Sequence, residues 1–425
     1  MAQSPPRIDP EPKTTANRLG PWRRVGRTLR LGFWPLVLVL IVLNAWWFWR
    51  DRPFRMDEIR QAVQRERFDE AGDLLQTHLA RSPYDAEARI MLARVKAARG
   101  DLLGCVTELG RVPPWDPNKP EALYREGQAA LQADRADLAE AAWLACVQDD
   151  PLHPTPPELH SDAGLELIKL YILEGRQVEA EAFIWDEYEL ADWVDRPTLL
   201  SMRIRLELER INPTDVAKTL ARYVDAAPDD WNARLGLARA LETLGRPAEA
   251  DRHLQTTLEQ RPNEPRVWGT LLEILAERGD EESLRKTIAR IPAEVEDDVR
   301  IWLHRGSVLE REGDLSQAAD SYAEAIRIDP NGASGHYRLG QLLNRLGRHD
   351  EAEEHLARNR TIQQARSDLR DAYSEFLLAF NLLLPQAGET VPERPQAAEN
   401  LAVICETLGM QRAAEELREL AWRMS

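Results

Sequence analysis

The sequence predicts an all-α protein: a right-handed α-solenoid of helix-turn-helix units, preceded by one N-terminal transmembrane helix. Three observations carry this expectation. Prolines recur every 34 residues, glycines recur at the same spacing, and one stretch of 19 residues near the amino terminus holds no charge.

The proline register runs through Pro83, Pro117 and Pro151, and again through Pro228 and Pro262; it skips Glu296 and returns at Pro330. It therefore holds from Pro53 to Pro151 and from Pro197 to Arg366, with later units starting near residues 197, 231, 265, 299 and 333. A period of this length builds stacked helix pairs whose product is a grooved surface. Within the unit at 299, Trp302 and Leu309 flank Gly306, and a second helix offers Ala318, Tyr322 and Ala325, so large side chains enter gaps left by small ones. Leu339, Gly340, Leu343, Ala352 and Leu356 repeat the pattern, and the period along each helix is helical. Gly245, Gly279, Gly313 and Gly347 follow apolar helical stretches, where a left-handed residue ends a helix at least cost.

A small residue at the eighth position of each unit, glycine near the fifteenth, alanine at the twentieth, an aromatic or leucine at the twenty-fourth and proline at the thirty-second resemble the tetratricopeptide repeat family. The match is strongest from Trp231 to Gln364. The resemblance implies a protein-binding, non-catalytic scaffold whose concave face is lined by the first helix of each pair. Carried onto the unit at 299, its lining positions are Arg300, Leu303, His304, Ser307, Glu310 and Arg311. On the next unit they are Ser334, Tyr337, Arg338, Gln341, Asn344 and Arg345. The candidate partner-binding residues are accordingly Arg300, His304, Ser307, Arg311, Tyr337, Arg338, Gln341, Asn344 and Arg345, a basic and polar set suited to carboxylates and backbone amides of an extended peptide. Leu303 and Ser307 stand where the chaperone-binding members carry clamp residues, so a chaperone-tail receptor is not implied. Arg94, Tyr124, Arg125 and Gln128 form a second candidate patch.

Departures from the period mark the expected domain organisation. Residues 1–30 are a Pro-rich, basic tail without apolar period, expected to be disordered. Residues 31–49 are the transmembrane helix, 52–366 the solenoid with an irregular junction at 151–196, and 367–425 a long helix followed by a capping pair. Pro151 to Pro157 shifts the register by seven residues, and Ile211 replaces a turn glycine, leaving the turn to Asn212 and Pro213. Ser367 to Leu384 reads as one helix and Pro385 to Pro395 as a loop. A last pair carries Ala402, Gly409, Ala414 and Ala421, with Arg412, Glu415, Glu416, Arg418 and Glu419 as its polar outer face. The chain holds about ten helix pairs on this count.

Leu31 to Trp49 is long enough to span a bilayer core of about 30 Å, and Trp34, Trp46, Trp47 and Trp49 suit interfacial belts. Leu43, Asn44 and Ala45 make a poor cleavage site, which favours an anchor over a removed leader. Arginines flank both ends. The short tail is expected inside, which puts the repeats in the periplasm of a bacterium as a single-pass inner-membrane protein.

The chain is formally −17, and residues 1–50 hold eight basic and two acidic side chains, so the remainder is −23. An acidic solenoid repels phosphate backbones and argues against nucleic acid. Cys105, Cys146 and Cys405 form no Cys-x-x-Cys pair and read as buried thiols. No phosphate-cradling loop, His-Glu-x-x-His or nucleophile elbow is present, the eight histidines are scattered, and no catalytic, cofactor or metal site is expected. Asp229, Asp230, Asp297 and Asp298 read as helix caps. Trp185, Asp186, Glu187, Tyr188 and Trp193 read as packing at a bent junction. The function expected is a membrane-anchored scaffold for a protein or extended peptide at the bacterial envelope, in contact with the bilayer through residues 31–49. A cytoplasm-facing adaptor regulating a membrane enzyme complex is the alternative, and assembly into a homo-oligomer through solenoid ends or convex faces is left open.

Overall fold

The computed structural model describes residues 38–44, 46, 56–148, 154–208, 211–292, 294–295, 298–383 and 391–425, and every described element is helical. The chain divides into two units, Met1–Arg81 and Ser82–Ser425.

In the first unit, residues 38–44 are helical and turn apolar side chains to solvent, from Leu43 at 52% exposed to Leu38 and Ile41 at 62%. Residues 31–37, 45 and 47–49 of the expected span lie outside the described residues, as does the tail at 1–30. Among the described residues no helix is long and apolar enough to cross a membrane. Helix α1 (56–64) buries Met56, Ile59 and Ala62, and α2 (Phe68–Arg81) buries Ala71, Leu75 and Leu79.

The second unit runs as successive antiparallel pairs. They are α3 (Ala86–Ala98) with α4 (Leu102–Gly110), α5 (Lys119–Gln132) with α6 (Ala136–Val147), and α7 (Pro157–Glu174) with α8 (Gln177–Leu190). Helices α9 (Arg196–Leu208) and α10 (Pro213–Ala226) follow, then α11 (Trp231–Thr243) with α12 (Pro247–Gln260) and α13 (Pro265–Glu277) with α14 (Glu281–Ile288). The stack ends with α15 (Val299–Glu312) and α16 (Leu315–Ile328), α17 (Ala333–Arg345) and α18 (His349–Ala379), and α19 (Arg394–Thr407) and α20 (Gln411–Met424).

The small-to-large fit is literal. A Cβ on Gly306 would stand 2.6 Å from the fully buried Tyr322 ring, one on Gly127 2.3 Å from Trp143 Nε1, and one on Gly340 2.8 Å from Leu356. Such distances lie far inside ordinary contact, so these helices close only over glycine. Gly313 adopts φ 88° and Gly279 φ 69° at the turns between paired helices. Acidic residues cap several of the helices, with Asp230 Oδ1 accepting from Ala233 N at 3.0 Å and Asp298 Oδ1 from Arg300 N at 2.9 Å.

Two elements depart from the simple period. Helix α18 is continuous for 31 residues, so the long helix starts at His349 rather than near 367. The unit's thirty-second position is Gln364 instead of proline, and nothing breaks the helix there. Helix α9, expected to pair with α10 in the unit at 197, packs instead on α8, α18 and α20, while α10 packs on α11 and α7. Ile211 stands where a turn glycine would, and Asn212 caps α10 by accepting from Thr214 N at 3.0 Å.

That rearrangement closes the stack on itself. Trp185, Tyr188, Leu200 and Ile204 share one core with Leu369, Phe376, Leu401, Cys405 and Leu417. Tyr188 donates its hydroxyl proton to Glu416 at 2.8 Å, Ser201 and Tyr373 share a buried hydrogen bond at 2.9 Å, and Arg412 lies over Trp185 and pairs with Glu189. The aromatic junction thus meets the far end of the stack, and α20's polar face is partly spent on α8.

Where α8 branches from α7, buried Arg176 binds Glu140 at 2.8 Å, Glu174 at 3.1 Å and Glu179 at 3.0 Å, and stacks 4.0 Å over Tyr171. Burial of Glu174 and the charge of Asp230 outweigh Arg176 and push the Glu174 carboxyl up to about 8.

Two outcomes follow. Phe376→Ala should cost about 3–5 kcal/mol in denaturant unfolding and expose α9 amides to hydrogen exchange, although α9 lies far away in sequence. Glu174 keeps its proton when folded and loses it when unfolded, so its contribution is full below pH 4.5 and disappears as pH rises through about 8. Glu174→Gln should therefore be nearly neutral near pH 4.5, become more stabilising as pH rises, and flatten the loss of stability between about pH 5 and 8, measured by thermal unfolding across that range.

Candidate functional site

The nine candidate partner-binding residues fall on α15 and α17, the first helices of two successive units. Asp298 caps α15, and the same carboxylate holds the Arg300 guanidinium at 2.9 and 2.6 Å. Arg300 also donates to Glu273 at 3.1 Å and to Thr270 Oγ1 at 3.2 Å on α13. Gly269 makes room for this pair, since a Cβ there would meet Asp298 Oδ2 at 2.5 Å. One unit earlier, Arg266 occupies the equivalent place, donating to Glu179 at 2.8 Å and to Asn232 Oδ1 at 3.0 Å. The second position of consecutive units is therefore a rung between repeats.

Arginines near the end of the first helices behave alike. Arg278 forks onto Glu242 at 2.9 and 2.5 Å, Arg311 pairs with Glu281 at 2.8 Å, and Arg345 pairs with Glu310. Each reaches back to a carboxylate of the preceding unit. Arg300, Arg311 and Arg345 are thus inter-repeat struts rather than free cations, and their carboxylate partners went unnoticed in the sequence. Opposite charges about one repeat apart, as in Arg278 with Glu242 and Arg345 with Glu310, were the available signal.

The remaining candidates divide by exposure. Ser307 is buried beside the Tyr322 hydroxyl, which donates to Glu310 at 2.9 Å. His304 is half-buried, and burial together with Arg300 and Arg338 holds its imidazole below the usual range against the pull of Glu273. Asn344 meets His349 Nδ1 at 3.1 Å. Tyr337, Arg338 and Gln341 are exposed, and no side-chain hydrogen bond or ion pair ties them among the described residues. Tyr337 keeps 48% of its surface in solvent. These three, one turn of α17, present one phenol, one guanidinium and one amide to whatever lies above them.

In the second patch, Arg125 pairs with Glu121 on its own helix, and Tyr124 lies beside Gln128 with its hydroxyl pushed up by burial and by Asp162 and Glu166. Cys105, Cys146 and Cys405 are buried free thiols, all pushed up by desolvation, Cys146 to about 11 and Cys405 to about 12. Among the described residues no group of three His, Cys, Asp or Glu side chains is arranged to hold a metal ion.

Residues 62–131 and 212–274 match the family described as tetratricopeptide repeat, and residues 306–347 match the description TPR repeat. The chain carries tetratricopeptide repeats. Its solved neighbours include MamA from Desulfovibrio magneticus RS-1, at 19% identity over 41% of this chain and 97% of that one, with a TM-score of 0.31. Pseudomonas aeruginosa PilF aligns at 14% identity over 53% of this chain and 90% of its own, with a TM-score of 0.32. A monomeric mutant of IFIT1 aligns at 14% identity over 80% and 91%, with a TM-score of 0.35. No curated protein matches the chain.

If the arginines are struts, Arg300→Ala should destabilise the α13–α15 junction by about 2–4 kcal/mol, because it strands Asp298 half-buried without its partner. Arg338→Ala should change stability by less than about 0.5 kcal/mol, as expected of an unpaired surface side chain. Urea unfolding of both variants distinguishes the two roles.

Proposed function

We propose that the chain is a membrane-tethered scaffold whose tetratricopeptide repeats hold a protein partner at the bacterial cell envelope, with the repeats periplasmic and no reaction of its own. Tetratricopeptide repeats generally mediate protein–protein interactions, and the observation that carries the reading here is the unspent trio Tyr337, Arg338 and Gln341 on a face whose other cations are consumed internally. A carboxylate on an extended segment suits Arg338, and backbone amides suit Gln341 and Tyr337. The repeat surface, at −23 outside residues 1–50, argues for a protein rather than a phosphate backbone.

The tether rests on the uncharged run from Leu31 to Trp49; its helical residues 38–44 carry solvent-facing leucine, isoleucine and valine, an arrangement that suits lipid better than water. The cytoplasm-facing adaptor is the second reading, favoured by the arginines that follow the run as closely as those that precede it.

Single cysteines at Ser4 and Ser425, in a background without the three native thiols, decide the side. Impermeant maleimide should label position 425 and spare position 4 in intact cells whose outer membrane is permeabilised; the reverse pattern selects the cytoplasmic adaptor. A photo-crosslinking residue at Gln341 should trap a discrete adduct that Arg338→Glu reduces at least about tenfold, equivalent to 1.4 kcal/mol of binding. An adduct indifferent to Arg338 would remove this face from the proposal.

A further inference from the structure

Tyr84 is 68% exposed and Trp115 61%, and their rings lie 5.9 Å apart. Both stand in inter-repeat turns of the second unit, Tyr84 just before α3 and Trp115 between α4 and α5, with exposed Pro83 and Pro114 beside them. In four later units the residue after the register proline is polar: Asn118, Asp229, Asn263 and Asn331. Turns that face water favour such residues, and at Tyr84 the same place holds a ring. The neighbouring polar groups bond within the turns. Arg89 Nε donates to the Pro83 carbonyl at 2.9 Å and its Nη1 to Glu108 at 3.0 Å, Asp85 accepts from Ala88 N at 3.2 Å, and Asp116 accepts from Asn118 N at 2.9 Å. Two rings and two prolines stand out from turns that these bonds hold.

The covalent path says what can reach that edge. From Trp49, the end of the uncharged run, to Met56, the start of α1, the chain spans at most about 25 Å. Helix α1 turns back into α2 within three residues: Glu66 takes φ 56°, and Arg67 N donates to the Ala62 carbonyl at 2.9 Å. At 1.5 Å per residue α1 rises about 13 Å and α2 returns about 21 Å, so α2 ends on the side of the hairpin from which α1 starts. Tyr84 follows Arg81 by three residues, a reach of at most about 11 Å. Connectivity alone thus brings the chain back towards the end of the run at 31–49 just before the exposed rings begin.

We propose that the edge formed by Pro83, Tyr84, Pro114 and Trp115 is a membrane-interface contact, which lays this end of the repeat stack on the headgroup region of the bilayer that holds the chain. The proposal rests on the membrane-tethered reading above. Tyrosine and tryptophan pair an apolar ring with one polar tip, a hydroxyl or an indole N–H, and that combination is stabilised where headgroups meet acyl chains. Prolines suit the same place, since neither Pro83 nor Pro114 has a backbone N–H to keep hydrated. With the span as one attachment and the aromatic edge as a second, the second unit holds one orientation to the bilayer instead of swinging on its linker.

The test uses the full chain with its native thiols replaced, one chain per phosphatidylcholine nanodisc, and an environment-sensitive fluorophore on Asn118→Cys or, as the control, on Asn263→Cys in the corresponding turn of a later unit. Both positions are exposed. Aqueous iodide should quench the label at 118 at least about threefold less than the label at 263, with blue-shifted emission, as expected of a site beside interfacial aromatics. Tyr84→Ser combined with Trp115→Ser should raise quenching at 118 to the control value. Both rings are exposed, so helicity by circular dichroism should not change; should the double variant misfold, the comparison of 118 with 263 in the otherwise unaltered chain decides. Equal quenching at the two sites in chains that stay in the discs through an alkaline carbonate wash overturns the edge and leaves the tether standing. Chains that the wash strips from the discs remove the tether, and this contact with it. Shielding of 118 that survives loss of both rings, or that needs two chains per disc, also overturns the proposal, the latter by assigning the edge to a second copy.

Discussion

The structure depends on the packing of α9 against the C-terminal helices. An open repeat stack contacts only its neighbours, and its curvature is the sum of small, soft rotations between units. Here Leu200 and Ile204 enter the same core as Phe376, Leu401 and Leu417, and Tyr188 and Ser201 reach Glu416 and Tyr373 across the gap. Closure removes those rotations as independent variables. Helices α11 to α18 must then curve by the amount that brings α18 to α9, and the face carried by α15 and α17 inherits its geometry from that constraint.

Inter-repeat charge serves the same end. Arg266, Arg278, Arg300, Arg311 and Arg345 each bind a carboxylate outside their own helix, and several are partly screened from water, where an arginine fork is stronger than at an open surface. They fix one unit against the next. On α15 and α17, among the described residues, these pairs take up Arg300, Arg311 and Arg345, and Tyr337, Arg338 and Gln341 are the side chains proposed for recognition. Recognition by a rigid, pre-set patch costs less ordering than recognition by a flexible one.

Much of the fold was legible in the sequence because glycine and proline mark backbone conformations that few other residues adopt. Gly313 and Gly279 are left-handed, and Gly306 lies under Tyr322, as their positions in the repeat imply. The exchange of partners by α9 was not legible. Ile211 announced a missing turn, but nothing local to residues 196–208 says that their apolar face meets helices some 200 residues later; such contacts are set by the accumulated curvature of every unit between. The pairing of the candidate arginines was not legible either. Repeat register located Arg300, Arg311 and Arg345, yet only coordinates reveal that Asp298, Glu281 and Glu310 already hold them.

Closure is measured most directly by pulsed electron spin resonance between labels at Asp192, in the turn between α8 and α9, and Ser425, after α20, in the full chain with its native thiols replaced. Arg423 lies 4.7 Å over the Trp193 ring, so these sites are neighbours in the closed stack. A closed stack gives a single, short, narrow distance at neutral pH. A broad distribution extending to long distances would mean that the stack is open and that the geometry of its α15–α17 face is not set by closure.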